Sequence, residues 1–217
     1  MLFLGAVAIH LLALAFGRPT VIAITKVALM PVLWLLGKNA VKSVPTGWTI
    51  AILFSWIGDI LLLPQWSAEV FFLAGMGAFL IAQLSYCRLL WTKGAQLSVP
   101  AILTIIAIVS AVEWGLASTA ADITLRIGIG VYGTCLLAML MLSLSFNKFR
   151  KQPKLALTTP IKWGAVLFVL SDGLIALRMF VLPEGYGTQL SIAVMLTYGI
   201  AQLGLAWLLL LADKKEK

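Results

Sequence analysis

From Val70 to Trp91 the chain reads VFFLAGMGAFLIAQLSYCRLLW, a run in which Arg88 is the only charge. A helix rises ~1.5 Å per residue and a bilayer core is ~30 Å thick, so about 20 apolar residues cross it. This run is long enough. Runs of the same kind, separated by polar or Pro/Gly breaks, lie at about 2–16, 19–37, 48–64, 69–91, 98–115, 123–146, 161–182 and 188–211. They predict an all-α, polytopic integral membrane protein, a bundle of eight transmembrane helices. The first run is short and lacks the cationic start and small-residue cleavage site of a signal peptide, so it reads as a retained span.

Composition agrees. Of 217 residues, 62% are hydrophobic and 11% charged, with a mean hydropathy of +1.05. A soluble domain runs ~45–50% apolar and ~25% charged. The longest loop, at about 147–160, leaves no room for a soluble domain, so residues 1–217 read as a single transmembrane domain. Five tryptophans, Trp48, Trp66, Trp91, Trp114 and Trp163, fall at span ends, where the indole ring prefers the membrane–water boundary.

The net charge is +8. Placing each basic residue on the side its segment would occupy groups Lys38, Lys42, Arg88, Lys93, Lys148, Arg150, Lys151, Lys154, Lys162, Lys214, Lys215 and Lys217 together, against Arg18, Arg126 and Arg178. Cationic loops stay in the cytoplasm. Both termini are therefore expected there, and the charge is explained without a nucleic-acid partner. Short loops and a minimal tail suit a bacterial cytoplasmic membrane.

Short strings recur in the two halves. Leu53-Phe54 followed by Gly58-Asp59 parallels Leu167-Phe168 followed by Ser171-Asp172, and Ile81-Ala82-Gln83-Leu84 parallels Ile200-Ala201-Gln202-Leu203. The pattern suggests two parallel four-helix repeats.

Three ionisable residues cannot be placed in loops. Asp59, Asp172 and Lys26 lie about 5, 10 and 7 residues from the non-cytoplasmic ends of their spans, or roughly 8, 15 and 10 Å deep at ~1.5 Å per residue. A charge near the bilayer centre costs at least ~2.5–3.5 kcal/mol, so such groups face the bundle interior and mark functional sites. The other acids, Glu69, Glu113, Asp122, Glu184, Asp213 and Glu216, fall at span ends or in loops and tails. Tyr198 shares the deep layer, with Gln202 one turn further on the same face. Thr25 precedes Lys26, and Pro31 is expected to relieve the carbonyl of Val27 of its usual amide donor. Ser55 and Ser171 neighbour the two aspartates. The stripe Ala74, Ala78, Ala82 with Gly75, and the glycines Gly128, Gly130 and Gly133, would admit close helix approach. Two carboxylates with one lysine leave one acid unpaired, the usual arrangement for acid–base chemistry; a lysine–aspartate pair that only fixes helix packing is the blander alternative.

Much chemistry is excluded. Cys87 and Cys135 form no metal or disulfide pattern, and one histidine, His10, cannot build a zinc site or a triad with the serines. It reads as a packed, hydrogen-bonded residue. No phosphate-binding glycine loop occurs.

At these residues the chain resembles the YhhN family of membrane proteins, which includes the lysoplasmalogenases. The resemblance is carried by Thr25-Lys26 with Pro31, Gly58-Asp59 with Pro64, and Phe72-Leu73-Ala74-Gly75 through Phe79 to Tyr86. It continues through Gly164-Ala165 with Leu167-Phe168, Ser171-Asp172, and Thr197-Tyr198 with Ala201-Gln202. One departure is Gln83, where many members carry histidine. The resemblance implies hydrolysis of the vinyl ether bond of a lysoplasmalogen, a membrane lipid substrate, to a fatty aldehyde and a glycerophospho-base. Of the two catalytic carboxylates, Asp172 would act as general acid and Asp59 as the stabilising anion and water-activating base, by analogy with glycosidases. Lys26, Gln83, Tyr86, Tyr198 and Gln202 would support or bind substrate. Depth ranks Asp59 as the nearer partner of Lys26. No metal or organic cofactor is needed. A proton-coupled transporter or lipid flippase built on the same Asp and Lys residues is the rival reading.

Overall fold

The structure, a computed structural model, describes residues 2–63, 69–117, 122–145, 155–181 and 187–213. Pro64, Trp66, Glu184, Lys148, Arg150, Lys151, Lys154, Lys214, Lys215, Glu216 and Lys217 lie outside the described residues. Every regular element among the described residues is a helix. In order they are α1 (Leu2–Ala15), α2 (Pro19–Ala40), α3 (Thr46–Leu61), α4 (Glu69–Thr92), α5 (Val99–Ala117), α6 (Ile123–Ser145), α7 (Leu155–Phe180), α8 (Gly187–Ala206) and α9 (Leu208–Asp213).

Six of the helical stretches are long and apolar enough to cross a bilayer, the last being Gly187–Leu210, which runs from α8 into α9 past the break at Trp207. The protein is a multi-pass membrane protein. With 14 and 16 residues, α1 and α3 are shorter. At ~1.5 Å per residue they reach about 21 and 24 Å, less than the ~30 Å hydrocarbon core.

Helix ends follow local chemistry. The turn after α1 has Gly17 at φ 60°, with Arg18 N–H bonded to Ala13 O (2.9 Å) and Gly17 N–H to Leu14 O (3.2 Å). Those two bonds satisfy carbonyls the helix leaves open, and Pro19 then starts α2 at a position needing no amide donor. The same pair of bonds closes α4 at Gly94. At the start of α6, Asp122 Oδ2 accepts the Thr124 amide at 2.9 Å, which holds this exposed carboxyl below its ordinary range. One boundary departs from the sequence reading: α7 begins at Leu155 and runs through Pro160. The proline removes a single bond close to the helix start, so it does not stop the helix there.

No atom lies within 4 Å of where a Cβ on Gly17 would sit. Gly17→Ala therefore isolates the backbone cost of a left-handed residue and is expected to lower stability by about 1–2 kcal/mol. Thermal unfolding in detergent measures it, with Gly5→Ala, equally open but helical, as a neutral control.

The chain forms two compact units. Met1–Pro45 with Ala156–Lys217 make unit 1, carrying α1, α2, α7, α8 and α9, and Thr46–Leu155 make unit 2, carrying α3 to α6. The compact units are thus not the two halves of the chain. Each unit instead holds one of the helix pairs with recurring strings, α3–α4 in unit 2 and α7–α8 in unit 1. In unit 1, α1 packs on α2 and on α8. In unit 2, α4 packs on α3 and α6, and α5 on α6.

Small residues set how closely these helices approach. In unit 1, a Cβ on Gly164 would lie 2.9 Å from Ala201 O, and one on Gly204 2.6 Å from Pro160 O. The α7 and α8 backbones touch there. In unit 2, Gly128 takes the end of Met76 and Gly130 the carboxylate of Glu113, whereas Gly133 faces open space. On α4 the packing surface is Gly75, Ala78 and Ala82. Ala74, expected on that stripe, is exposed, because it lies a helical turn's fraction off the face that meets α3.

Candidate active site

Unit 2 contains Asp59, Gln83 and Tyr86. The buried face of α3 is Trp48, Ala51, Ile52, Ser55, Gly58 and Asp59, the three-four spacing of a helix with one inward stripe. Asp59 is 3% exposed and Ser55, one turn away, 0%. Gly58 makes room beside Asp59 for the Phe79 ring, whose Cδ2 would lie 2.6 Å from an added Cβ. Across the interface, Gln83 and Tyr86 on α4 are fully buried. Neither Nε2 nor Oε1 of Gln83 has a hydrogen-bond partner among the described residues, and the same holds for Trp48 Nε1.

Trp48 lies at the start of α3, the span end where its sequence position puts it. Trp91, Trp114 and Trp163 are 60%, 85% and 62% exposed, as boundary residues should be, but Trp48 is 0% exposed. It occupies the inward stripe of α3, a rotation that position along the span does not reveal.

Unit 1 contains Lys26, Asp172, Tyr198 and Gln202, and a chain of contacts sets their heights. His10 on α1 bonds Thr25 Oγ1 on α2 through Nδ1 at 2.7 Å. The Thr25 hydroxyl also lies 2.6 Å from Val21 O. Val7, one turn before His10, packs against Gly199 of α8. Next to it, Tyr198 meets Phe168 of α7 edge to face, with ring centroids 5.7 Å apart and planes at 76°. Ser171 Oγ donates to Val194 O at 3.2 Å. These pairings set Lys26 and Tyr198 at similar heights, with Asp172 about 6–8 Å from Tyr198 along the helix axes. Among the described carboxylates of unit 1, Asp172 lies nearest that height, about one turn from Lys26.

Gln202 Nε2 donates to Tyr198 OH at 3.2 Å, the one-turn, same-face relation expected from spacing. Both side chains are buried; Lys26 and Asp172 are half-buried. His10 is 1% exposed, packed and hydrogen-bonded as the sequence reading held. That reading did not foresee that its partner is the residue beside Lys26. It also missed that the Cys87 thiol lies 3.8 Å from Cys135 O, although both thiols are free. Neither relation has a sequence signal, since each depends on which faces of two helices meet. Among the described residues no three His, Cys, Asp or Glu side chains cluster as a metal site would require. The acids at span ends stay peripheral: Glu69 and Asp122 are exposed, and Glu113 pairs with Arg126 at 3.7 Å.

Residues 21–209 match the YhhN family, a stretch that includes every site residue named above except His10. The chain belongs to the YhhN family. This YhhN protein is 32% identical over 178 residues to lysoplasmalogenase TMEM86B of Homo sapiens, a similarity covering 80% of this chain and 70% of that protein. No solved structure matches it significantly.

Proposed function

We propose that this YhhN protein is a membrane-embedded hydrolase of the lysoplasmalogenase type, cleaving the vinyl ether bond of a lysoplasmalogen. The observation that carries the reading is the 32% identity to a lysoplasmalogenase across 80% of the chain. Two buried or half-buried aspartates within that stretch support it. Hydrolysis begins with proton transfer to the outer alkene carbon, giving an oxocarbenium ion. Water adds to the carbon bonded to oxygen, and the hemiacetal collapses to a fatty aldehyde and the free glycerol hydroxyl. The first step needs an acid, the ion needs a nearby anion, and the water needs a base.

Asp59 and Asp172 supply these roles. Asp172, as the anion, steadies the cation and accepts the proton of water. Asp59, the more deeply buried, donates the first proton. Tyr198 and Gln202, held to each other, orient groups in the Asp172 layer, and Gln83 and Tyr86 do so on the Asp59 side. The substrate is a single-chain lipid, and no metal or organic cofactor takes part. The chain is a single transmembrane domain of eight spans in a bacterial cytoplasmic membrane, with both termini in the cytoplasm and the basic segments beside them.

Purified protein in detergent is expected to release aldehyde from a lysoplasmalogen, read by coupling to an aldehyde dehydrogenase. Lipid or proton movement in sealed vesicles without aldehyde release would point instead to the transporter reading.

A further inference from the structure

The side chain left most exposed to an energetic penalty in unit 2 is Gln83. It is 0% exposed, and neither end of its amide has a partner among the described residues. An unmet buried polar group carries an uncompensated desolvation cost, and a leucine would fill similar volume without it. An amide kept under such conditions calls for a ligand group to complete it.

Its surroundings narrow the choice. Three contacts fix the pairing of α3 with α4: Gly47 with Leu89, Gly58 with Phe79, and Leu62 with Gly75. The helices are antiparallel, and this register sets Gln83 level with the turn between Ala51 and Ser55. Helical periodicity puts Ser55 and Asp59 on one flank of the α3 stripe that meets α4, and Gln83 on the same flank of α4. Side chains lean toward the N-terminus of their own helix. Asp59 and Gln83 therefore lean toward each other, converging on the Ser55 layer.

We infer that Gln83 is a specificity-determining residue that binds the free hydroxyl on the central glycerol carbon of a single-chain lipid, beside Asp59. The inference rests on the reading of the protein as a lysoplasmalogenase-type hydrolase. A hydroxyl carries one donor and one acceptor, and the amide offers the complement of both: Nε2–H to its oxygen and Oε1 to its proton. An acyl ester at the same carbon offers acceptors only. It would leave Oε1 unpaired, so the same residue would reject two-chain lipids.

The experiment compares wild type, Gln83→Leu and Gln83→His on two alkenyl substrates, one with the central hydroxyl and one with hydrogen in its place. Aldehyde release gives kcat/KM. Wild type should prefer the hydroxyl substrate by roughly 10- to 100-fold. Gln83→Leu should lose that preference chiefly through KM, and Gln83→His should keep it, because imidazole also presents one donor and one acceptor. An unchanged preference in Gln83→Leu, or none in wild type, overturns the inference. A second readout separates it from the reaction itself: thermal stabilisation of each protein by the non-cleavable saturated alkyl ether lipid, with and without the hydroxyl. If wild type releases no aldehyde, the proposed reaction fails. Hydroxyl-dependent stabilisation that is lost in Gln83→Leu would then still support the Gln83 site, and its absence in wild type would overturn it.

Discussion

Asp59→Asn and Asp172→Asn are each expected to slow aldehyde release from a lysoplasmalogen by about 10²- to 10⁴-fold. At 1.36 kcal/mol per decade this is about 3–5 kcal/mol of transition-state stabilisation. Asparagine keeps the shape of aspartate, and it neither donates a proton to carbon nor carries charge to steady an oxocarbenium ion. The fold should persist: thermal unfolding of both variants should fall close to wild type, while turnover collapses. If the carboxylates serve one reaction, their effects will not add, because removing either already disables the cycle. The double variant should then be no slower than the slower single one. Full activity in either single variant removes that carboxylate from the mechanism. Multiplying losses in the double variant would mean the two act independently.

Gly204→Ala is expected to cost about 1–3 kcal/mol, the range for forcing extra volume into a packed interface. The added Cβ would fall 2.6 Å from Pro160 O and 2.8 Å from Gly164 Cα, both backbone atoms, so no side chain can rotate out of the way. Membrane helices gain little from the hydrophobic effect when they associate, since lipid is as apolar as leucine, and rely on close packing and hydrogen bonds. Parting α7 from α8 loosens that packing along the interface, which also carries the Phe168–Tyr198 contact and the bond from Ser171 to Val194 O. Thermal unfolding in detergent measures the loss. Gly133→Ala, with nothing within 4 Å of its Cβ, should leave stability unchanged or slightly raised. Equal unfolding temperatures for the two variants would refute the crossing as a stability determinant.

Several features were legible before any coordinates. The long apolar runs correspond to helices. Gly17-Arg18-Pro19 ends one helix and starts the next by backbone rules alone. Tyr198 and Gln202, four residues apart, meet as spacing requires. Pro160 misled because a proline near a helix start resembles a boundary, and the burial of Trp48 had no sequence signal because its place along α3 says nothing of its rotation. His10 is the sharper case: its bond to Thr25 crosses two helices whose facing sides have no distinguishing pattern.

The amino-acid sequence by itself determined that the chain is helical and membrane-spanning, where most helices stop, and which few polar groups interrupt the apolar runs. Hydrocarbon imposes those features on any chain that crosses it, because every backbone polar group must be satisfied within a helix and every buried charge is costly. Only the tertiary structure decided that α1 and α2 join α7 and α8 in one unit while α3 to α6 form another. It also decided that Gln83 and Trp48 turn inward, with polar atoms that meet no partner among the described residues. In water, an apolar stripe tells a helix which face to bury. In lipid both faces are apolar, so the choice passes to glycine crossings such as Gly164 with Gly204, which are recognised only once the helices are packed.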